Sequence, residues 1–233
     1  GTVSRNENGY PIGYFFGYKA IGVFQTQEEI DSYISPATGK PIQPNAAPGD
    51  TKFEDLNGDG VISDDNEDRT MIGKPNPDWM VGLTVAADWN GFDLSAFFQG
   101  SFGADVFDAL RRYELAAVNY TSDALERWTG PGTSNSMPRI VLGDTPKNFR
   151  PSTLLVHDAS FLRLRNLQVG YTLPAQLTRK AYIQRLRFYA SFDNLLTITG
   201  YKGMDPEIGS TMGIDKGVYP QARVYTFGLN LTF

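Results

Sequence analysis

Cysteine is absent from this chain and histidine occurs once, at His157. The lack of thiols excludes thiol nucleophiles, Fe–S clusters, thiolate zinc sites and disulfides together. A single histidine excludes multi-histidine metal centres and leaves at most one Ser-His-Asp arrangement to consider. No stretch approaches the ~18 consecutive apolar residues of a membrane-spanning helix. Spanning β-strands stay open, because roughly ten residues of alternating character suffice and barely register in average hydropathy. Positive charge is also short: 21 Lys+Arg stand against 26 Asp+Glu, a net charge of −5. That balance weighs against nucleic acid as a partner, since phosphate binding needs a basic face. What the 233 residues do hold is 13% aromatics, 24 Gly and 14 Pro. The length allows one or two domains with a sizeable core. Gly1 to Tyr10 (GTVSRNENGY) has no apolar signal-peptide region. A chain that opens this way is expected to be cytoplasmic, a mature product or a piece of something longer, and its interior favours the third.

Along the chain, Ile12 to Phe24 (IGYFFGYKAIGVF) is rich in aromatics and Gly and suits a strand. Thr26 to Ile34 reads as a short helix with Thr26 as cap and Glu29 as its box partner. Ser35 to Asp50 is a loop punctuated by Pro and Gly. An acidic, Gly-rich segment spans Asp55 to Asp68, and KPNPDW closes the irregular stretch. Helical signal returns at Asp105 to Ala117 and Thr121 to Trp128, followed by a loop from Gly130.

The remaining long segments alternate with period two. Trp79 to Trp89 places Trp79, Val81, Leu83, Val85, Ala87 and Trp89 on one face, with small or polar residues on the other. Asn90-Gly91 is a strong two-residue hairpin turn, and its return strand runs to Phe102. Ile183 to Leu196 and Val224 to Phe233 alternate in the same way. Phe161 to Leu173 also alternates, but its apolar face changes parity between Leu164 and Leu167, which predicts a bulge near Asn166. Such alternation commonly marks a soluble sandwich with one buried and one wet face. Strands of about ten or more residues, aromatics at their ends, tight turns at one side and long loops at the other match instead a wall of an outer-membrane barrel.

The final residues TFGLNLTF, with Thr226, Gly228, Leu231 and a terminal Phe233, resemble the C-terminal signal of Gram-negative outer-membrane barrels. The run GDTKFEDLNGDGVISDDNEDRTMIGKPNPDW, Gly49 to Trp79, resembles a block near the end of SusC/RagA-type TonB-dependent receptors. IGYFFGYKAIGVFQTQEEID, SFLRLRNLQVGYTLP and RFYASFDNLLTITGYKGMDPEIG are similar to that family too. The resemblance covers nearly the whole chain and implies an all-β fold: an antiparallel outer-membrane-type barrel segment, residues 1–233, whose long extracellular loops contain short helices, with 49–79 as an acidic insertion. No plug domain, TonB box or signal sequence is recognised in it. The family implies import of glycans or peptides across the outer membrane of a Gram-negative bacterium, with a SusD-like surface lipoprotein, TonB acting through the missing N-terminal region, and outer-membrane lipid as partners. A soluble, calcium-stabilised β-sandwich serving carbohydrate binding or adhesion is the competing reading.

Asp55-Leu-Asn57-Gly-Asp59-Gly60-Val61-Ile-Ser63 matches the first nine positions of an EF-hand-type loop. Side-chain oxygens of Asp55, Asn57 and Asp59, the Val61 carbonyl and Ser63 would converge on a structural Ca²⁺. Asn66 stands where a bidentate Glu is expected, and a rigid Asx-rich turn is the alternative. Other candidates point away from enzymology. His157, Asp158 and Ser160 are too close in sequence for triad geometry on an extended strand. The pairs Asp64/Asp65 and Glu67/Asp68 sit in a solvated loop rather than an apolar pocket. Arg111/Arg112 and Arg163/Arg165/Arg179/Lys180 are modest clusters expected to face a lumen or solvate loops. Trp128 and Tyr201 could stack on sugar rings or pack against a partner. No set of catalytic residues can be assembled.

Overall fold

The computed structural model describes residues 3–65, 67–111, 119–208 and 212–233. The chain divides into two compact units, each assembled from three separated stretches: Gly1–Asn76, Asp105–His157 and Gly209–Gly217 in one, Pro77–Ala104, Asp158–Ile208 and Val218–Phe233 in the other. Its strands are β1 (Ser4–Arg5), β2 (Tyr14–Tyr18), β3 (Ala20–Val23), β4 (Thr51–Phe53), β5 (Arg69–Gly73), β6 (Trp79–Trp89) and β7 (Phe92–Phe102). They continue as β8 (Asp105–Asp108), β9 (Val156–Asp158), β10 (Phe161–Thr172), β11 (Arg185–Thr199), β12 (Ile214–Asp215) and β13 (Val224–Thr232). Among the described residues helices are few and short, α1 (Gln27–Ser32) and α2 (Ala175–Thr178) plus single 3₁₀ turns.

In the first unit the aromatic run beginning at Ile12 forms two strands rather than one. β2 pairs with β1 and β5, β3 pairs with β4, and the chain changes partner at Lys19. Phe15, Phe107 and Leu155 make one of its apolar clusters, with Ile72, Val156 and Ile214 packed around it. The α1 cap forms as expected at one end: the Glu29 N–H donates to Thr26 Oγ1 at 3.3 Å. Glu29 returns its carboxylate one residue upstream of the cap, accepting from the Gln25 N–H at 2.8 Å. A buried polar staple holds the loop that follows. Asp50 accepts both Nε and Nη2 of Arg139 at 2.6 and 3.1 Å and the Asn148 amide at 3.0 Å.

The helix expected from Asp105 does not form at its start: Asp105–Asp108 is β8, the central strand between β12 and β9. Val106 and Phe107 are both buried there, and pairing on two sides outweighs a weak local helix preference. Residues 112–117 of that expectation lie outside the described residues, as does Arg112. The Thr121–Trp128 segment is a 3₁₀ turn, Ser122–Glu126, rather than an α-helix.

The second unit is a single open antiparallel sheet in the order β13-β11-β10-β7-β6. β6 and β7 pair in unbroken register from Trp79↔Phe102 to Trp89↔Phe92. Their turn puts Asn90 at φ 51 and Gly91 at φ 89, the doubly positive backbone that Asn-Gly provides most cheaply. A side chain at Gly91 would stand 2.8 Å from the Thr172 carbonyl oxygen, so the turn also fits closely under its neighbour. The turns joining β6 to β7 and β10 to β11 share one end of the sheet, and the long connections leave from the other.

Candidate functional site: one apolar and one charged sheet face

Directly opposed residues of an antiparallel pair share a face, so the registers sort every side chain of the sheet. One face collects Trp79, Leu83 and Trp89 from β6 with Phe92, Leu94 and Phe98 from β7. It continues through Leu162, Leu164, Leu167 and Val169 of β10, then Phe188, Phe192 and Leu196 of β11, and ends on Phe227, Leu229 and Leu231 of β13. No paired position on this face carries Asp, Glu, Lys or Arg. Much of it is open: Trp79 is 72%, Leu83 59% and Phe227 76% exposed.

A bulge keeps this face uniform. Leu164 pairs with Phe98 and Asn166 with Phe97, so Arg165 has no opposite residue on β7. On β11 the same step runs from Leu196 to Asp193, with Asn194 at φ 53. Since a one-residue slip exchanges the faces, the bulge returns Leu167, Val169 and Tyr171 to the apolar side. It also lets Arg163 and Arg165 share the opposite one.

That opposite face is polar and cross-linked. Arg187 Nε donates to Asp93 Oδ2 at 2.8 Å, and Asn166 donates to Asp193 at 2.7 Å. Arg163, only 2% exposed, spends Nε on Thr197 (2.9 Å), Nη1 on Glu207 (2.9 Å) and Nη2 on Asp205 (2.6 Å). Arg165 donates to Gln99 at 2.6 Å and Gln221 at 2.7 Å, and pairs with Glu207. Two arginines of one strand therefore pin the segments around Asp205 and Gln221 onto the charged face.

The acidic loop is built from its own hydrogen bonds. Asp55 accepts from the Gly58 and Gly60 N–H groups, each at 2.8 Å, and Asp59 accepts from Val61 N–H at 2.8 Å. Asn57 Nδ2 donates to Asp59 and to Glu67, both at 3.0 Å. Ser63 bonds the Asp65 carboxylate, and its carbonyl accepts the Tyr18 hydroxyl at 2.6 Å. Asn66 lies outside the described residues. The residue that closes the loop is Asp68, which is fully buried and accepts from the Leu56 and Ser63 N–H groups at 3.2 and 2.9 Å. Burial distinguishes Asp68 within the loop, and sequence spacing does not. Among the described residues no three acidic or histidine side chains converge as a metal-holding group.

The remaining candidates are dispersed. His157 Nε2 lies 3.9 Å from Asp108 Oδ2, whereas Asp158 accepts from the Ser160 N–H at 2.8 Å and Ser160 Oγ accepts from the Gly103 N–H at 3.0 Å. Asp64 pairs with Lys147. Arg111 bridges Asp108 and Asp123 at 2.8 and 2.7 Å. Neither loop aromatic is a free platform: Trp128 packs on Gly49 and donates to Gln25 at 3.2 Å, and Tyr201 is buried against Gly203. No described helix is long and apolar enough to cross a membrane, which says nothing of strands.

No family model matches the chain. Comparison with curated proteins finds it 34% identical over 236 residues to TonB-dependent receptor P3 of Formosa agariphila, covering 97% of this chain and 22% of that protein. It is 30% identical over 233 residues to TonB-dependent receptor SusC of Bacteroides thetaiotaomicron, covering 99% of this chain and 21% of SusC. Among solved structures it resembles the RagAB peptide importer in its open-open state, at 27% identity and a TM-score of 0.73, over all of this chain and 23% of that one. The chain spans about a fifth of the length of these curated relatives.

Proposed function

From the premise that this chain is a SusC/RagA-like TonB-dependent receptor sequence, we propose that it forms the C-terminal part of an outer-membrane nutrient importer. The five-stranded sheet is a length of barrel wall, with its apolar face toward lipid and its charged face toward the lumen. The observation that carries this reading is the uncharged, exposed face running across all five strands. Soluble proteins rarely leave an apolar patch of more than a few hundred Å² open, while a barrel wall requires one. Dimensions agree: 11 residues in β6 rise roughly 33 Å along the strand, and a tilt near 40° brings that to the ~25 Å of a lipid-facing band. The Trp79/Phe102 and Trp89/Phe92 pairs sit at its two ends, where aromatic girdles belong. Closing the barrel takes further strands, because the edges at β6 and β13 offer unpaired ladder groups.

In this reading the chain does no chemistry itself. Cargo, an oligosaccharide or peptide, is gathered with a SusD-like surface lipoprotein, and TonB supplies energy through regions outside this segment. The Asp55–Ser63 loop takes a structural Ca²⁺ that staples an extracellular loop. A β-sandwich would need a second sheet over Trp79, Leu83 and Phe227, and among the described residues of this unit none covers them. Detergent dependence separates the two. The purified chain is expected to need detergent or lipid to stay dispersed, and a monodisperse monomer in plain buffer would contradict the barrel-wall assignment.

A further inference from the structure

We propose that the cavity beside the acidic loop is a subsite for an acidic side chain of an extended peptide. This cavity, about 670 Å³, lies among the Lys40–Ala46, Gly60–Ile62 and Thr145–Arg150 stretches of the first unit. Its lining includes three cations, Lys40, Lys147 and Arg150, and one carboxylate, Asp50. Asp50 is buried and held by the bidentate Arg139 pair, so the wall has an excess of positive charge. Arg150 is set rigidly: its guanidinium stacks 4.7 Å from the Tyr18 ring and 4.9 Å from the Phe53 ring, and Nε donates to the Lys147 carbonyl at 3.2 Å. Nη1 is buried and makes no hydrogen bond, with Asp64 3.8 Å from it, so a carboxylate reaches it only where Asp64 now stands.

Asp64 shows what Lys147 and Arg150 accept. Its well-exposed carboxylate pairs with Lys147 and reaches toward Arg150, which makes it an internal stand-in for an incoming acid. The rest of the wall selects the kind of molecule. Pro41, Ile42, Pro44 and Ile62 are aliphatic, and among the described residues no aromatic ring lines the cavity. A sugar ring thus finds no stacking platform, whereas aliphatic side chains flanking a glutamate or aspartate find matching surface.

Calling that peptide cargo rests on the import reading; its binding does not, and is measured without transport. The test is calorimetry on the full-length receptor in detergent. Its probes are an alanine-based hexapeptide with two glutamates, the glutamine counterpart, and digalacturonate as an acidic sugar of equal charge. The glutamate peptide is expected to bind about tenfold tighter than its glutamine counterpart, as charge-assisted bonds to Lys and Arg imply. Lys40→Ala/Lys147→Ala removes that preference. Asp64→Asn, which frees the cations, tightens the glutamate peptide several-fold, a gain that misfolding does not imitate. Equal affinity for the two peptides, or no gain in Asp64→Asn, would overturn the subsite. Digalacturonate binding as tightly as the acidic peptide would overturn the peptide assignment. Failure of the import reading appears instead as detergent independence, which these titrations leave untouched.

Discussion

Leu83→Arg places a cation on the lipid-facing side of β6, four residues from Trp79 and six from Trp89. At ~3.3 Å per residue and a 40° tilt, its Cα lies roughly 10 Å from one girdle and 15 Å from the other, close to the bilayer midplane. Phe98 is directly opposite, with Leu164 and Leu196 beyond it in the same row, so no acid can neutralise the new charge. A lipid-exposed Arg at this depth costs about 2–4 kcal/mol, a loss of roughly 30-fold or more in the folded-to-unfolded ratio. Leu83 is 59% exposed, so the same substitution on a sheet bathed in water would stay within about 0.5 kcal/mol. Thr84→Arg, one residue along and on the charged face, is the control and is expected to be near neutral. Urea unfolding of the full-length receptor in lipid vesicles, followed by tryptophan fluorescence, reads both. Equal stability of the two variants would refute the assignment of faces.

Arg163→Met leaves the buried Asp205 carboxylate without its cation, while Glu207 keeps Arg165, and should cost about 3–5 kcal/mol, the toll of an uncompensated buried charge, in the same unfolding assay. Adding Asp205→Asn should recover part of it; a loss under about 1 kcal/mol for Arg163→Met alone would show that the network carries no stability. The Asp64 carboxyl, held below the ordinary carboxylate range by the Lys147 hydrogen bond, contributes a contact that is present above roughly pH 4 and lost as acid carries the pH through its depressed midpoint. NMR titration of that carboxyl should show the low midpoint, and Lys147→Met should move it back up; an unmoved midpoint contradicts the pairing. Ca²⁺ titrated calorimetrically into the chain and into Asp55→Ala/Asp59→Ala should give heat only with the first, and identical traces would remove the site.

The sheet was readable because its physics is local. Period-two alternation in Trp79–Trp89, the Asn90-Gly91 turn and the parity change beyond Leu164 each specify geometry within a few residues, and the registers and the Arg165 bulge follow them. The first unit was less legible because its order comes from distant partners. β8 looked helical until β12 and β9 flanked it, β5 lay unnoticed after the acidic loop, and Asp50 meets Arg139 from 89 residues away. Asp68 carried no sequence mark of burial at all. The Arg163 network likewise depends on acids more than 40 residues downstream, so the basic cluster was visible and its partners were not.

The absence of cysteine from these 233 residues keeps them free of background labelling in the most direct measurement. Single cysteines placed at each position from 79 to 89 of a full-length receptor, with any cysteine outside this segment replaced, can be labelled with a membrane-impermeant maleimide in outer-membrane vesicles opened to both sides. Protection at 79, 81, 83, 85, 87 and 89 alternating with labelling at 80, 82, 84, 86 and 88 is the expected pattern, since only the first set faces lipid. Uniform labelling along the strand, or protection of the even positions, would contradict a barrel wall.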